Sequence, residues 1–212
     1  MSDVARSRPE PAENTPVRHN PPMFFNLPTL LTWARIVAIP LVVGVYYTGL
    51  AAETQNIVGT ALFVLVALTD WADGWLARRL GMTSSFGAFL DPVADKLFVT
   101  AALLVLVNLG RLHALIALVI IGREIAISAL REWMARIGAS RSVAVHMVGK
   151  VKTVVQMVAI PFLLYHGTLF GLIDTQAWGT VLIIVSAVLT IWSMLYYMKL
   201  AWPQIRERGG MA

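Results

Sequence analysis

The chain has 212 residues, 58% of them hydrophobic and 14% charged, with a mean hydropathy of +0.70. A water-soluble domain usually carries about 45–50% apolar and about 25% charged residues, so this composition excludes that class and marks a membrane protein. The net charge of +5 comes from basic residues grouped at the ends of apolar segments, where anionic lipid headgroups rather than nucleic acid are the adjacent partner, and the absence of cysteine excludes disulfides, thiolate catalysis and cysteine-held metals.

Residues 1–22 are polar and rich in Pro, Arg and Glu, too poor in apolar surface to fold alone, and are expected to form a disordered cytoplasmic tail. They lack the pattern of a secretory signal peptide. Met23, Phe24, Phe25 and Leu27, ahead of Pro28, form a short apolar patch that either lies in the membrane interface or caps the first helix. Six segments long enough to cross the hydrocarbon follow, near 29–50, 57–80, 87–109, 112–135, 151–171 and 177–200. Spans in lipid must be helical, and Pro40, Pro92 and Pro161 are tolerated where neighbouring helices compensate. The expected fold is an all-α integral membrane protein: six transmembrane helices and a short N-terminal interfacial segment in one membrane domain, residues 23–202, followed by a cytoplasmic tail, residues 203–212. No internal repeat is visible, so an inverted-repeat transporter gains no support.

Lys and Arg residues set the orientation. Arg6, Arg8 and Arg18, then Arg78 and Arg79, then Arg136, Arg141, Lys150 and Lys152, then Arg206 and Arg208 all fall on one side of the six spans. The opposite loops, 51–56 and 168–176, contain neither residue type, and 108–114 contains only Arg111. The positive-inside rule therefore puts both termini on the cytoplasmic side.

Asp70, Asp73, Asp91 and Asp95 stand inside apolar sequence, where an isolated charge costs several kcal/mol or more. On a helix, Asp70 and Asp73 share a face with Gly74 and Ala77, and Gly87, Asp91 and Asp95 repeat every four residues on another. Both pairs lie at the cytoplasmic ends of their spans, joined by residues 81–86, so two facing helices would form an oxygen-rich cage for hard divalent cations. Gly74 and Ala77 permit either close approach of a ligand or close helix packing. Arg78 suits a diphosphate or a lipid headgroup. Arg123 lies within the fourth span and Arg131 two turns later, beside a stripe of Glu124, Ser128 and Arg131. An intramembrane Arg is a functional candidate, with an ion pair to Glu124 or to an aspartate as the structural alternative. Lys150 and Lys152 either assist it or snorkel to the interface. His113, His146 and His166 read as solvated or structural, Lys96 as a local charge partner of Asp95, and Trp178, Tyr196 and Tyr197 as interface anchors. Trp192, Met194 and Met198 read as packing or lipid-facing residues.

The spacing D-x2-D-G-x2-A-R-x8-G-x3-D-x3-D, met by Asp70, Asp73, Gly74, Ala77, Arg78, Gly87, Asp91 and Asp95, resembles the signature of the CDP-alcohol phosphatidyltransferases. The segment from Asn26 to Arg35, with Thr29 where that family usually has Asn, is also similar to it. Residues 122–135, Ser142 to Val145 and Gly149 to Thr153 resemble the members that join CDP-diacylglycerol to glycerol 3-phosphate, giving phosphatidylglycerophosphate and CMP. The resemblance covers residues from about Asn26 to Ile160. It implies a six-span homodimer in the bacterial cytoplasmic membrane, with both termini and the active site on the cytoplasmic side. It further implies that Asp70, Asp73, Asp91 and Asp95 hold Mg2+ or Mn2+, two ions in all, and that Asp95 is also the general base. Thr32, Gly74, Ala77, Arg78, Ser84 and Gly87 are its CDP-diacylglycerol-binding positions, although Thr32 has its own helix backbone as an alternative partner and Ser84 a simple turn. An acceptor that is itself a phosphate needs cations beyond the metal, and Arg123, Arg131, Lys150 and Lys152 are the candidates for glycerol 3-phosphate. The residues leave open another acceptor, such as inositol phosphate, serine or phosphatidylglycerol, and, in a different class, a divalent-cation transporter.

Overall fold

The computed structural model describes residues 27–80, 85–136 and 147–208. These residues form six helices: α1 (Leu27–Val45), α2 (Ala52–Leu80), α3 (Ser85–Asn108), α4 (Ala114–Arg136), α5 (Met147–Tyr165) and α6 (Thr175–Arg208). Two of them contain stretches long and apolar enough to cross a membrane by length and composition, Ala52–Asp70 and Thr175–Pro203. Charges dilute the hydropathy of α3 and α4, which carry Asp91, Asp95 and Lys96, and Arg123, Glu124, Arg131, Glu132 and Arg136. The outer surface is nevertheless apolar: Leu65, Leu104, Leu118 and Leu195 are all more than half exposed, a cost in water that lipid removes.

Helix α3 supplies much of the core. Its Phe98, Ala102, Leu103 and Leu106 are buried, and the Phe98 ring stacks on Phe63 of α2 with centroids 4.7 Å apart. Helix α1 packs on α2 and α3, α4 on α3 and α6, and α5 mainly on α6 and α2. A second apolar cluster of Ile127, Met134, Tyr197 and Ala201 joins α4 to α6 at the end of the bundle that holds the basic loops.

The fifth expected span, 151–171, is shorter as a helix. Helix α5 stops at Tyr165 because His166 takes a left-handed backbone angle (φ 49°), and the chain turns into a small antiparallel hairpin of β1 (Thr168–Leu169) and β2 (Ile173–Asp174). Among the described residues the fold is otherwise helical, as expected, with this hairpin of two short strands as an addition. Arg111 then closes the helix end, donating to the carbonyl oxygens of Leu163 (3.3 Å) and Leu164 (2.7 Å) and to Asn56 Oδ1 (2.7 Å). Those carbonyls belong to the last turn, which has no intrahelical donors of its own. Helix α6 starts on an Asp cap, Asp174 Oδ1 accepting from the backbone N–H of Gln176 (2.9 Å) and Ala177 (3.0 Å), and it continues through Pro203 to Arg208. Of the interfacial patch expected at Met23, Phe24, Phe25 and Leu27, Leu27 is the first residue of α1 and the others, like the tail 1–22, lie outside the described residues.

Where α5 and α6 cross, Gly179 lets the backbones approach: a Cβ there would lie 2.9 Å from Leu163 Cγ and 3.1 Å from the Leu163 backbone nitrogen. Backbone cannot swing aside as a side chain can, so the helices must separate to admit a methyl group. Gly179→Ala is expected to destabilise the detergent-solubilised protein by about 1–3 kcal/mol, read as a lower thermal unfolding midpoint.

Candidate active site

Helix α1 brings its polar face, Thr32 and Arg35, against α2 and α3. Both are buried, three residues apart and therefore on one side of the helix. The Thr32 hydroxyl donates to Asp91 Oδ1, a third outcome beside the nucleotide and the helix backbone expected for it. The Arg35 guanidinium takes a position between two carboxylates, pairing with Asp70 through Nη2 and with Asp95 Oδ1 through Nη1 at 2.7 Å. Asp70, Asp91 and Asp95 thus converge on one short stretch of α1 and lie within each other's electrostatic reach. Helix α2 runs through Asp73, Gly74, Ala77 and Arg78, but their side chains, like that of Lys150, lie outside the described set, as does Ser84 entirely. Gly87 is buried in the first turn of α3.

A cavity of about 290 Å³ opens beside this cluster, lined by Arg35, Asp70, Asp95 and Lys96 on one side and by Glu124, Thr153 and Gln156 on the other. Glu124 pairs with the buried Lys152 of α5 and accepts from Arg123 Nη1 at 3.1 Å. Arg123 Nη2 donates to Ser193 Oγ of α6 at 3.1 Å, while its Nε and that of Arg131 have no hydrogen-bond partner among the described residues. Arg123 and Lys152 both pair with the Glu124 carboxylate, and Arg131 lies within electrostatic reach of Lys152, so this side holds an excess of positive charge. The side-chain exposures run the opposite way on acids and bases: Asp70, Asp95 and Glu124 are 37%, 49% and 29% exposed, whereas Arg35, Arg123 and Lys152 are 6%, 6% and 2%. The carboxylates are the more exposed partners in each pair, and Arg123 and Lys152 stand behind Glu124 while Arg35 lines the cavity beside Asp70 and Asp95.

Among the described side chains no group of three or more His, Asp or Glu forms a metal cluster; Asp73, the fourth carboxylate of the spacing pattern, is outside that set. The donors that do meet, the carboxylates of Asp70, Asp91 and Asp95 and the hydroxyl of Thr32, are all hard oxygen, the ligand chemistry of Mg2+ and Mn2+ and not of soft metals. They fit such an ion on that ground.

Arg35 was not among the expected site residues, although the rule that singled out Arg123 applies to any Arg inside a span and would have found it. Tyr197 corrects an expectation: the interface position read from its place near the end of the sixth span is wrong, because the ring is fully buried against α4. His113 accepts from the backbone N–H of Leu115 at the start of α4, the structural role expected of it.

The chain belongs to the CDP-alcohol phosphatidyltransferase family, whose model matches residues 25–192. It is similar to the CDP-diacylglycerol–glycerol-3-phosphate 3-phosphatidyltransferase of Salmonella choleraesuis, with 46% identity over 183 residues that span 84% of this chain and 96% of that protein. The protein of the same name from Escherichia coli K12 is 46% identical over 190 residues, 88% of this chain and all of that one.

The position of Arg35 generates a test that does not require turnover. Arg35→Gln leaves Asp70 and Asp95 facing each other without the cation between them. The loss is expected to be about 1–2 kcal/mol, a charge-assisted pair discounted for half-exposed carboxylates, and added Mg2+ is expected to raise the unfolding midpoint of this variant more than that of the parent.

Proposed function

We propose that the protein transfers the phosphatidyl group of CDP-diacylglycerol to glycerol 3-phosphate, releasing CMP. Likeness to full-length relatives bearing that activity in their name supports the reaction. The observation that carries it into this chain is a single cavity in which the Asp70 and Asp95 carboxylates face a wall of Glu124 backed by Lys152 and Arg123. The reaction brings two phosphorylated substrates together, so it requires one site for a diphosphate and an adjoining one for a phosphate monoester.

Asp70, Asp73 and Asp91, with Asp95 beside them, would hold one or two divalent cations. When bound, such an ion draws charge from the diphosphate oxygens and stabilises the leaving phosphate. Thr32 and Arg35 orient the carboxylates from α1, so that their oxygens are set before substrate arrives. Gly74, Ala77 and Gly87 leave room for the nucleotide, and Arg78 and Ser84 donate to it. Arg123, Arg131 and Lys152, with Lys150, bind the phosphate of glycerol 3-phosphate and direct its primary hydroxyl toward Asp95. Asp95 accepts the hydroxyl proton as the oxygen attacks the phosphorus bearing diacylglycerol, and the bond from that phosphorus to CMP breaks in the same displacement. No cysteine is present to carry the group, and no described histidine lines the cavity, so one step suffices.

All six helices serve as membrane spans in this reading. Basic residues at 78–79, 136–152 and 206–208 put the cavity and both termini at the cytoplasmic face, where glycerol 3-phosphate is soluble and the acyl chains remain in the bilayer. A homodimer in the bacterial cytoplasmic membrane completes the proposal.

Purified enzyme in detergent with CDP-diacylglycerol and Mg2+ is expected to release CMP on adding glycerol 3-phosphate, and not with serine, inositol phosphate or phosphatidylglycerol; release with one of those acceptors alone would overturn the assignment. Asp95→Asn is expected to reduce CMP release by at least about a thousandfold with cytidine nucleotide still bound, the size of a lost general base together with its share of the metal site. Arg131→Ala is expected to raise KM for glycerol 3-phosphate about tenfold to a hundredfold, the loss of one charge-assisted phosphate contact, with KM for CDP-diacylglycerol unchanged.

A further inference from the structure

Two arginines of α4 meet one aromatic ring of α6. The Arg123 Cζ lies 5.9 Å from the centroid of Tyr197 and the Arg131 Cζ 5.5 Å from it. The ring is fully buried, in a cluster with Ile127, Met134 and Ala201. Arg123, Ile127 and Arg131 recur every four residues, so they form one face of α4, with an apolar residue between two charges. Tyr197 lies against that face.

Like charges held close inside a bundle repel, and the usual remedy is a carboxylate. Glu124 does this for Lys152 and in part for Arg123. A carboxylate also cancels the charge that an incoming phosphate must find. An aromatic face acts differently: its quadrupole stabilises a guanidinium electrostatically but adds no net negative charge and occupies no N–H donor. Among the described residues the buried Nε atoms of Arg123 and Arg131 have no hydrogen-bond partner, so these two donors are kept back from the protein's own acceptors, while Arg123 Nη1 and Nη2 donate to Glu124 and Ser193.

We propose that Tyr197 is a positioning residue for the acceptor phosphate: its ring holds Arg131 beside Arg123, which Glu124 neutralises only in part, as a net-positive pair that closes on the phosphate monoester of the acceptor. The proposal rests on the assignment of these arginines to glycerol 3-phosphate. The contribution comes from the ring face. Replacing Tyr197 by Phe therefore leaves KM for glycerol 3-phosphate within about twofold, because the quadrupole is retained.

The test keeps the shape of the side chain and changes its electrostatics. In full-length enzyme, position 197 is occupied in turn by Phe and by mono-, di- and trifluorinated phenylalanine introduced by codon suppression, and kcat, both KM values, inhibition by inorganic phosphate and the unfolding midpoint are measured for each. KM for glycerol 3-phosphate and the inhibition constant of phosphate are expected to rise together with each fluorine, by about tenfold across the series, while KM for CDP-diacylglycerol, kcat and the unfolding midpoint stay level. Tyr197→Leu is expected to match the end of that series in KM. A flat series overturns the proposal, as does one in which both KM values and the midpoint drift together, which would make the ring a packing residue only. Arg131→Ala separates the two levels: if it raises KM for glycerol 3-phosphate while the fluorinated series stays flat, only the role of Tyr197 falls, and if it too leaves that KM unchanged, the acceptor assignment falls with it.

Discussion

An ionised side chain inside an apolar bundle must find its opposite charge, and this requirement organises the protein. Moving a carboxylate or guanidinium out of water costs several kcal/mol even after relaxation, so an unpaired charge at these positions would unfold the local packing. Here Arg35 meets Asp70 and Asp95, and Glu124 meets Lys152 and Arg123. The two groups share one cavity between helices that are far apart in the chain.

The compensation is unequal by design of the packing. The cations are enclosed among helices and the carboxylates are the more exposed partners, so the acids present oxygen to the cavity while ion pairs hold their geometry. Helix α1 contributes a hydroxyl and a guanidinium, and α5 and α6 contribute an ammonium, a serine and an aromatic ring. None of these elements carries the acidic pattern itself. The role of α1 is to fix the described carboxylates of α2 and α3, Asp70, Asp91 and Asp95, beside one cavity.

Much of the site could be read from residue order because buried charge is so costly that it needs a reason. Asp70, Asp91 and Asp95 stand out on that ground, and the described ones do converge. Arg123 was legible by the same rule, but its surroundings were not: Ser193 lies seventy residues away, and no local spacing pairs it with α4. Arg35 closes a segment whose family-like pattern masks its charge, and its two acidic partners lie on other helices that no local spacing connects to α1. For Tyr197 the residue order fits an interface anchor as well as a core position, because an aromatic residue near the end of an apolar run serves either, and only the approach of α4 decides between them.

Residue order alone dictated the membrane class, the number and approximate place of the apolar helices, and a cluster of acids on two of them. These follow from composition and from the 3.6-residue period, which are local properties of the chain. Folding decided which cation neutralises which acid, that α5 stops at Tyr165 for a hairpin, and that one ring lies against two arginines. Pairing between distant segments depends on which helix faces meet, and the energy that selects those faces resides in contacts that no single segment contains.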